Sequence, residues 1–139
     1  MAQRIRDIMT TDPVTVPAHT SVTEVARLMR DENIGAVLVV DGDRLCGLVT
    51  DRDLVVRVLA EGEYGGETTM HGTCSGSLVT VSPDDDVATA EELMRTRAVR
   101  RLPVVENGRP VGIVALGDLA VERDEGAALS GISAAGPNH

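Results

Sequence analysis

The chain has 139 residues, a formal charge of −9 and a sequence pI near 4.7, long enough for one compact domain or two small ones sharing a core. Its negative field repels phosphate backbones, and with no Phe, no Trp and Tyr64 as its single aromatic residue it offers no base-stacking platform, so general nucleic-acid binding is excluded. The longest apolar run, AVLVV at 36–40, is far too short to span a bilayer, and MAQRIRDIMTTDP carries no apolar signal-peptide stretch. A cytoplasmic protein without membrane contact is the expectation.

In chain order, RIRDIMT at 4–10 predicts a helical turn. Val14-Thr15-Val16 predicts a short strand ending in a turn at Pro17. Ser21 and Glu24 have the spacing of a capping box, and Val22, Val25, Ala26 and Met29 share one face of the helix that follows. A strand at 36–40, the turn pair Asp41-Gly42 and a strand at 45–49 read as a hairpin that runs into a final helix. Gly47, inside the second strand, marks a bulge or a close backbone approach. Residues 61–76 are Gly-rich and polar and form a linker. Within it, MHGTCSG at 70–76 is a less regular counterpart of 4–10.

The same unit is then written again. Val79-Thr80-Val81 predicts a strand, Pro83 its turn, and Asp86 the cap of a helix whose apolar face holds Val87, Ala90 and Met94. LPVV at 102–105, the turn pair Asn107-Gly108 and PVGIV at 110–114 repeat the hairpin, with Gly112 in place of Gly47. Residues 124–139 are small and polar, and fraying is expected there. A shift of 65 positions aligns the two units without a gap and yields 14 identities between positions 14 and 54. Among them, Leu28-Met29-Arg30 falls on Leu93-Met94-Arg95, and Gly47, Val49, Asp53 and Leu54 fall on Gly112, Val114, Asp118 and Leu119. Self-similarity at a fixed period outranks any single motif. Each β-α-β-β-α unit makes a sheet too small to be stable alone. The expectation is an α+β fold in which two repeats, 5–60 and 77–123, bury their sheets against each other as a pseudo-twofold pair with a cleft between them.

The stretches DIMTTDPVTV, GLVTDRDL, LVTVSPDDDV, VRRLPVVENGRPVGIV and GDL, in this order and twice over, resemble the CBS domain. Over roughly residues 5–123 the chain looks like a CBS-domain pair, or Bateman module. The resemblance implies a regulatory, non-enzymatic module for an adenosyl ligand such as AMP, ADP, ATP, NAD or S-adenosylmethionine. It also implies a homodimer built from two pairs. With no catalytic or DNA-binding domain on the chain, an effector protein acting in trans is implied as well.

Thr50-Asp51-Arg52-Asp53 admits two readings. One is a second capping box, in which Thr50 and Asp53 serve only the helix. In the other, the same helix start presents N–H groups and a carboxylate to a ribose or an anion, and the resemblance matches Thr50 and Asp53 to the family's ribose-binding positions. The readings are compatible. The resemblance sets Val81, Ser82, Pro83, Arg100, Arg101 and Pro103 across the cleft from them. There Val81 and Pro103 flank an adenine, and the two arginines hold phosphate. The plain alternative for Arg100 and Arg101 is a solvated pair beside the acidic run 84–86.

The second cleft sets Ala115 and Asp118 against Val16, Pro17, Gly35 and Ala36. It has lost the Thr hydroxyl and both arginines, so it either binds more weakly or is filled by packing. The first cleft is favoured. His19, His71 and His139 have no metal-ligand spacing, and no nucleophile–base pair or Walker loop is present, so neither a metal site nor catalysis is expected. Cys46 reads as a small core hydrophobe and Cys74 as a linker residue. A redox switch between them is a lesser alternative.

Overall fold

The structure, a computed structural model, describes residues 3–60, 69–74 and 78–123. The expected tail at 124–139 and most of the expected linker lie outside the described residues. The chain divides into a continuous unit, 14–78, and a split unit made of 1–13 with 79–139. Each has its own apolar core.

In the continuous unit, β2 (Thr15–Pro17) leads through α2 (Val22–Glu32) to β3 (Ala36–Asp41) and β4 (Arg44–Thr50). β3 lies between the other two strands, parallel to β2 and antiparallel to β4. Ser21 caps the helix as expected, accepting the Glu24 amide on Oγ at 3.1 Å, but the reciprocal half of the box is absent: Glu24 accepts from the Ser21 hydroxyl at 3.2 Å, not from its backbone amide. Val22, Val25 and Met29 are buried as expected, but Ala26 is exposed. α2 ends at Asn33, whose left-handed backbone, φ 54°, suits Asn. After β4, α3 (Asp51–Asp53) passes into a π-helical turn, Leu54–Leu59, in which the Ala60 amide reaches back five residues to the Val55 carbonyl.

In the split unit, α1 (Ile5–Ile8) and β1 (Thr10–Thr11) join α4 (Val87–Arg97), β5 (Arg101–Glu106), β6 (Arg109–Ala115) and α5 (Leu116–Arg123). β6 lies between β1 and β5 and is antiparallel to both. The strand expected at 79–81 is reduced to one parallel bridge, Val81 with Val104. The repeat supplies the reason. In the continuous unit β2 is held at its ends by Leu38 donating to the Val14 carbonyl at 2.9 Å and Ala18 donating to the Val40 carbonyl at 3.1 Å. The aligned donors in the split unit are Pro103 and Pro83, which have no N–H. Only the middle bonds survive, Val81 N–H to Pro103 at 3.1 Å and Val105 N–H to Val81 at 2.8 Å.

Two further local expectations shift. The first hairpin turns on Gly42-Asp43 rather than Asp41-Gly42, because Asp41 still pairs with Arg44. Asn107-Gly108 turns as expected, with both residues at positive φ. Asp86 precedes α4 but its side chain makes no capping bond. Backbone carbonyls serve the first turn instead: the Thr89 amide donates to the Asp86 carbonyl and the Val87 amide to the Gln3 carbonyl, each at 3.0 Å.

The units therefore cut across the sequence repeats. Ile5, fully buried, and the segment that leads into the first repeat pack in the unit of the second. Met70, also buried, and the segment that leads into the second repeat pack in the unit of the first. Both segments rest on a hairpin glycine. A Cβ on Gly47 would sit 2.5 Å from the Thr73 carbonyl oxygen, and one on Gly112 would sit 2.6 Å from Met9 Sδ and 2.9 Å from the Thr10 carbonyl oxygen. The expected close approach is present at both, and each glycine also faces a bulge, at Val39/Val40 and at Val104/Val105.

Candidate functional site

Thr50 ends β4 in extended backbone, φ −112° and ψ 165°, and starts α3. Its Oγ1 accepts the Asp53 amide at 3.1 Å, and Asp53 Oδ2 accepts the Thr50 amide at 2.9 Å. The capping box is complete, and both residues are half-buried. The Asp51 amide donates to the Gly35 carbonyl at 3.0 Å, which ties the start of the helix to the start of β3, where Ala36 pairs with Thr50. The Arg52 amide donates to Asp51 Oδ1 at 2.8 Å, and both side chains are exposed. Chemically this is a rigid carboxylate and hydroxyl at the mouth of a helix, a pair able to accept from and donate to vicinal hydroxyls.

The split unit repeats the scaffold without the hydroxyl. The Ala115 amide donates to Asp118 Oδ2 at 2.8 Å, and the Leu116 amide donates to the Arg100 carbonyl at 2.8 Å. No side chain at 115 can accept the Asp118 amide as Thr50 accepts that of Asp53. Asp118 is half-buried, and burial pushes its carboxyl above the usual carboxylate range, opposed in part by the Ala115 N–H. Leu116 stands where the continuous unit has Asp51, and it is exposed.

Around Val81 the chain makes a tight polar turn. The Ser82 amide donates to Asp85 Oδ2 at 2.8 Å, and the Asp84 amide donates to Ser82 Oγ at 3.2 Å. Arg6 forms an ion pair with Asp84, and it holds that carboxyl below the usual carboxylate range. Val81, Pro83 and Pro103 are buried, Arg101 is half-buried and Arg100 is exposed. Arg101 is the strand partner of Ala115. Within the continuous unit, Val16 is buried, Pro17 exposed, Gly35 buried and Ala36 half-buried.

Each unit thus gathers one acidic motif with one set of wall residues. Thr50, Asp51, Arg52 and Asp53 share the continuous unit with Val16, Pro17, Gly35 and Ala36. Ala115 and Asp118 share the split unit with Val81, Ser82, Pro83, Arg100, Arg101 and Pro103.

Two features go beyond the leading expectations. Cys46, on β4, packs on the core as expected, and it is also joined to Cys74 as a disulfide, with Cα atoms 4.7 Å apart, the pairing that the lesser alternative requires. The usable signal was the repeat, which aligns Cys46 with Val111 and Cys74 with Met9, both packed on the core of the split unit. The other feature is an apolar groove of about 380 Å³ in the continuous unit, lined by Val22, Ala26, Met29, Leu54, Val55 and Leu59 with Thr23 and Asp51 at its edge. Val55 and Leu59 are exposed on it. Among the described residues no group of three or more His, Cys, Asp or Glu side chains could hold a metal, and no helix is long and apolar enough to cross a membrane.

Two β-α-β-β-α repeats ending in matched acidic helix starts define a CBS-domain pair. The model of the CBS domain matches residues 5–60 and 74–125, and the chain belongs to that family. CBS-domain proteins are generally regulatory. The chain is 41% identical over 133 residues to the CBS domain-containing protein YhcV of Bacillus subtilis, covering 93% of this chain and 94% of that protein. Hypoxic response protein 1 of Mycobacterium tuberculosis is 35% identical over 130 residues, 93% of this chain and 91% of that protein. The crystal structure of hypoxic response protein I with two coordinated zinc ions has a TM-score of 0.77 at 34% identity, covering 86% of this chain and 98% of that one. The CBS-domain pair of MJ0100, crystallised with 5′-methylthioadenosine and S-adenosyl-L-methionine, has a TM-score of 0.75 at 25% identity, covering 86% of this chain and 94% of that one.

Proposed function

We propose that this chain is a non-enzymatic, cytoplasmic sensor that binds an adenosyl nucleotide and passes the signal to a partner protein in trans as a homodimer. The observation that carries the reading is the Thr50–Asp53 pair, half-buried and locked by two reciprocal hydrogen bonds, which holds a carboxylate and a hydroxyl ready for a ribose. The adenosyl ligands of MJ0100 support the ligand class. Binding acts by favouring one of two arrangements of the protein, in proportion to its differential affinity for them.

Calorimetric titration with AMP, ADP, ATP, NAD and S-adenosylmethionine tests this. At least one should bind, and Asp53→Asn should weaken it about 10-fold or more, the usual worth of a hydrogen bond to a charged group. Absence of binding by all five at millimolar concentration overturns the reading. A second reading, a structural homodimer with a vestigial cleft, is favoured by one observation: Thr50 and Asp53 already satisfy each other as a helix cap. It requires that none of the five nucleotides raise the melting temperature by the mass-action amount.

A further inference from the structure

The segment Met70–Cys74 lies along the continuous unit just before the chain continues toward Val79 of the split unit. At its start it is anchored without covalent bonds. Met70 is 2% exposed, its amide donates to the Thr20 carbonyl at 3.0 Å, and Thr69 bridges to Ser21. A short 3-10 turn follows, with Thr73 Oγ1 donating to the Met70 carbonyl at 2.7 Å. At its end the segment is held by the Cys46–Cys74 disulfide, one residue from the close approach of Thr73 to Gly47.

The split unit performs the same docking with no covalent bond. Its lead-in segment has Met9 where the continuous unit has Cys74, and β6 has Val111 where β4 has Cys46. Met9 and Val111 pack on the core, and β1 adds backbone pairing to Ile113 and Gly112. The docking geometry therefore does not need a disulfide, and its presence in one unit alone is an added property. Both cysteines are half-buried rather than sealed, the exposure of a labile disulfide rather than of a purely structural one. No other cysteine exists in the chain to compete for pairing.

From this juxtaposition we propose that Cys46 and Cys74 form a reversible thiol–disulfide clasp whose redox state sets how firmly residues 69–74 are attached to the continuous unit. Closure is thiol–disulfide exchange with a small-molecule disulfide. One Cys thiolate attacks it, releases a thiol and forms a mixed disulfide. The second Cys thiolate then displaces the second thiol, and the two cysteines together lose two electrons and two protons to the acceptor. Opening by a thiol reverses both steps.

The test uses the full chain equilibrated in graded mixtures of reduced and oxidised glutathione, quenched by alkylation and weighed intact. In parallel, amide hydrogen exchange is followed in the fully oxidised and fully reduced forms. A single reversible transition between zero and two alkylated cysteines in monomeric chains is expected. The Met70 amide should exchange about tenfold faster or more in the reduced form, because an untethered segment opens more often. The Leu116 amide, bonded to Arg100 in the split unit, should be unchanged. Cys46→Val with Cys74→Met, which copies the split unit, should keep the fold and make Met70 exchange insensitive to glutathione. Thiols that never close, a disulfide that no mixture opens, disulfide-linked chains in place of the internal bond, or equal Met70 exchange in both forms each overturn the proposal.

Discussion

The continuous and split units are one pattern executed twice, and their differences locate where the chain departs from mere repetition. The continuous unit has a three-residue β2, a hydroxyl in its cap, an open apolar groove beside α2 and a disulfide. The split unit has a single bridge in place of β2, no hydroxyl, Leu119 buried where Leu54 is half-buried, and no cysteine. The split unit is closed by packing. The continuous unit keeps its chemistry at its edges, in Thr50, Asp53 and the Cys46–Cys74 bond.

The strongest way to break the symmetry is at the two glycines. Gly47→Ala should cost about 3 kcal/mol, because the new methyl meets the backbone carbonyl of Thr73, in a segment held at both ends. Gly112→Ala should cost about 1–2 kcal/mol, because its nearest obstacle is the flexible Met9 side chain and the Thr10 carbonyl oxygen, at 2.9 Å, stands farther off than the Thr73 oxygen does at Gly47, 2.5 Å. Urea unfolding of the two variants checks the ranking, and equal costs would mean that the lead-in segments are held equally firmly. Next comes the hydroxyl. Thr50→Ala should cost about 1 kcal/mol through loss of the cap, and Ala115→Thr should gain up to about 1 kcal/mol by supplying the missing acceptor to the Asp118 amide. The double exchange should then leave total stability nearly unchanged.

The helix ends differ more gently. α2 closes on Asn33 and α4 on Ala98, each in left-handed backbone, and Ala has no polar side chain to compensate for the crowding of its Cβ. Ala98→Gly should raise stability by about 0.5–1 kcal/mol in the same assay, whereas Asn33→Gly should change it by less. The smallest expected effect is that of Asp118. Its folded carboxyl is raised by burial, so the native state holds that proton more tightly than the unfolded chain does. This contribution to stability is present below the ordinary carboxylate range and is lost as pH rises through the raised folded value. Asp118→Asn should flatten that part of the pH–stability curve, and an unchanged slope would show that burial of Asp118 does not matter to folding.

Local pattern carried much of this architecture. The Ser21 cap, the hairpins and the demand for glycine at 47 and 112 each depend on a few neighbouring residues, and each appears. The cap geometry at Thr50 was legible for the same reason. Even the shortened strand at 79–81 could have been read, since Pro103 and Pro83 stand where the repeat needs amide donors. The misreadings at Ala26 and Asp86 concern positions where a distant or unusual partner intervenes. The side of α2 at Ala26 faces the groove next to the π-helical turn, and at Asp86 the backbone carbonyl, not the side chain, accepts the Thr89 amide while Gln3 takes that of Val87.

By itself, the sequence determined that one β-α-β-β-α unit is written twice, that the Asn107-Gly108 turn and the Thr50 cap sit where they do, and that its two acidic motifs differ by a hydroxyl. These follow from periodicity and from contacts a few residues apart, which the chain states directly. Only the tertiary structure decided that each lead-in segment belongs to the unit of the other repeat, and that Cys46 meets Cys74 across 28 positions. Such pairings are settled by which core takes in Ile5 or Met70 and by which segment fits the space above a glycine, Met9-Thr10 at Gly112 and Thr73 at Gly47, and no local spacing encodes that choice.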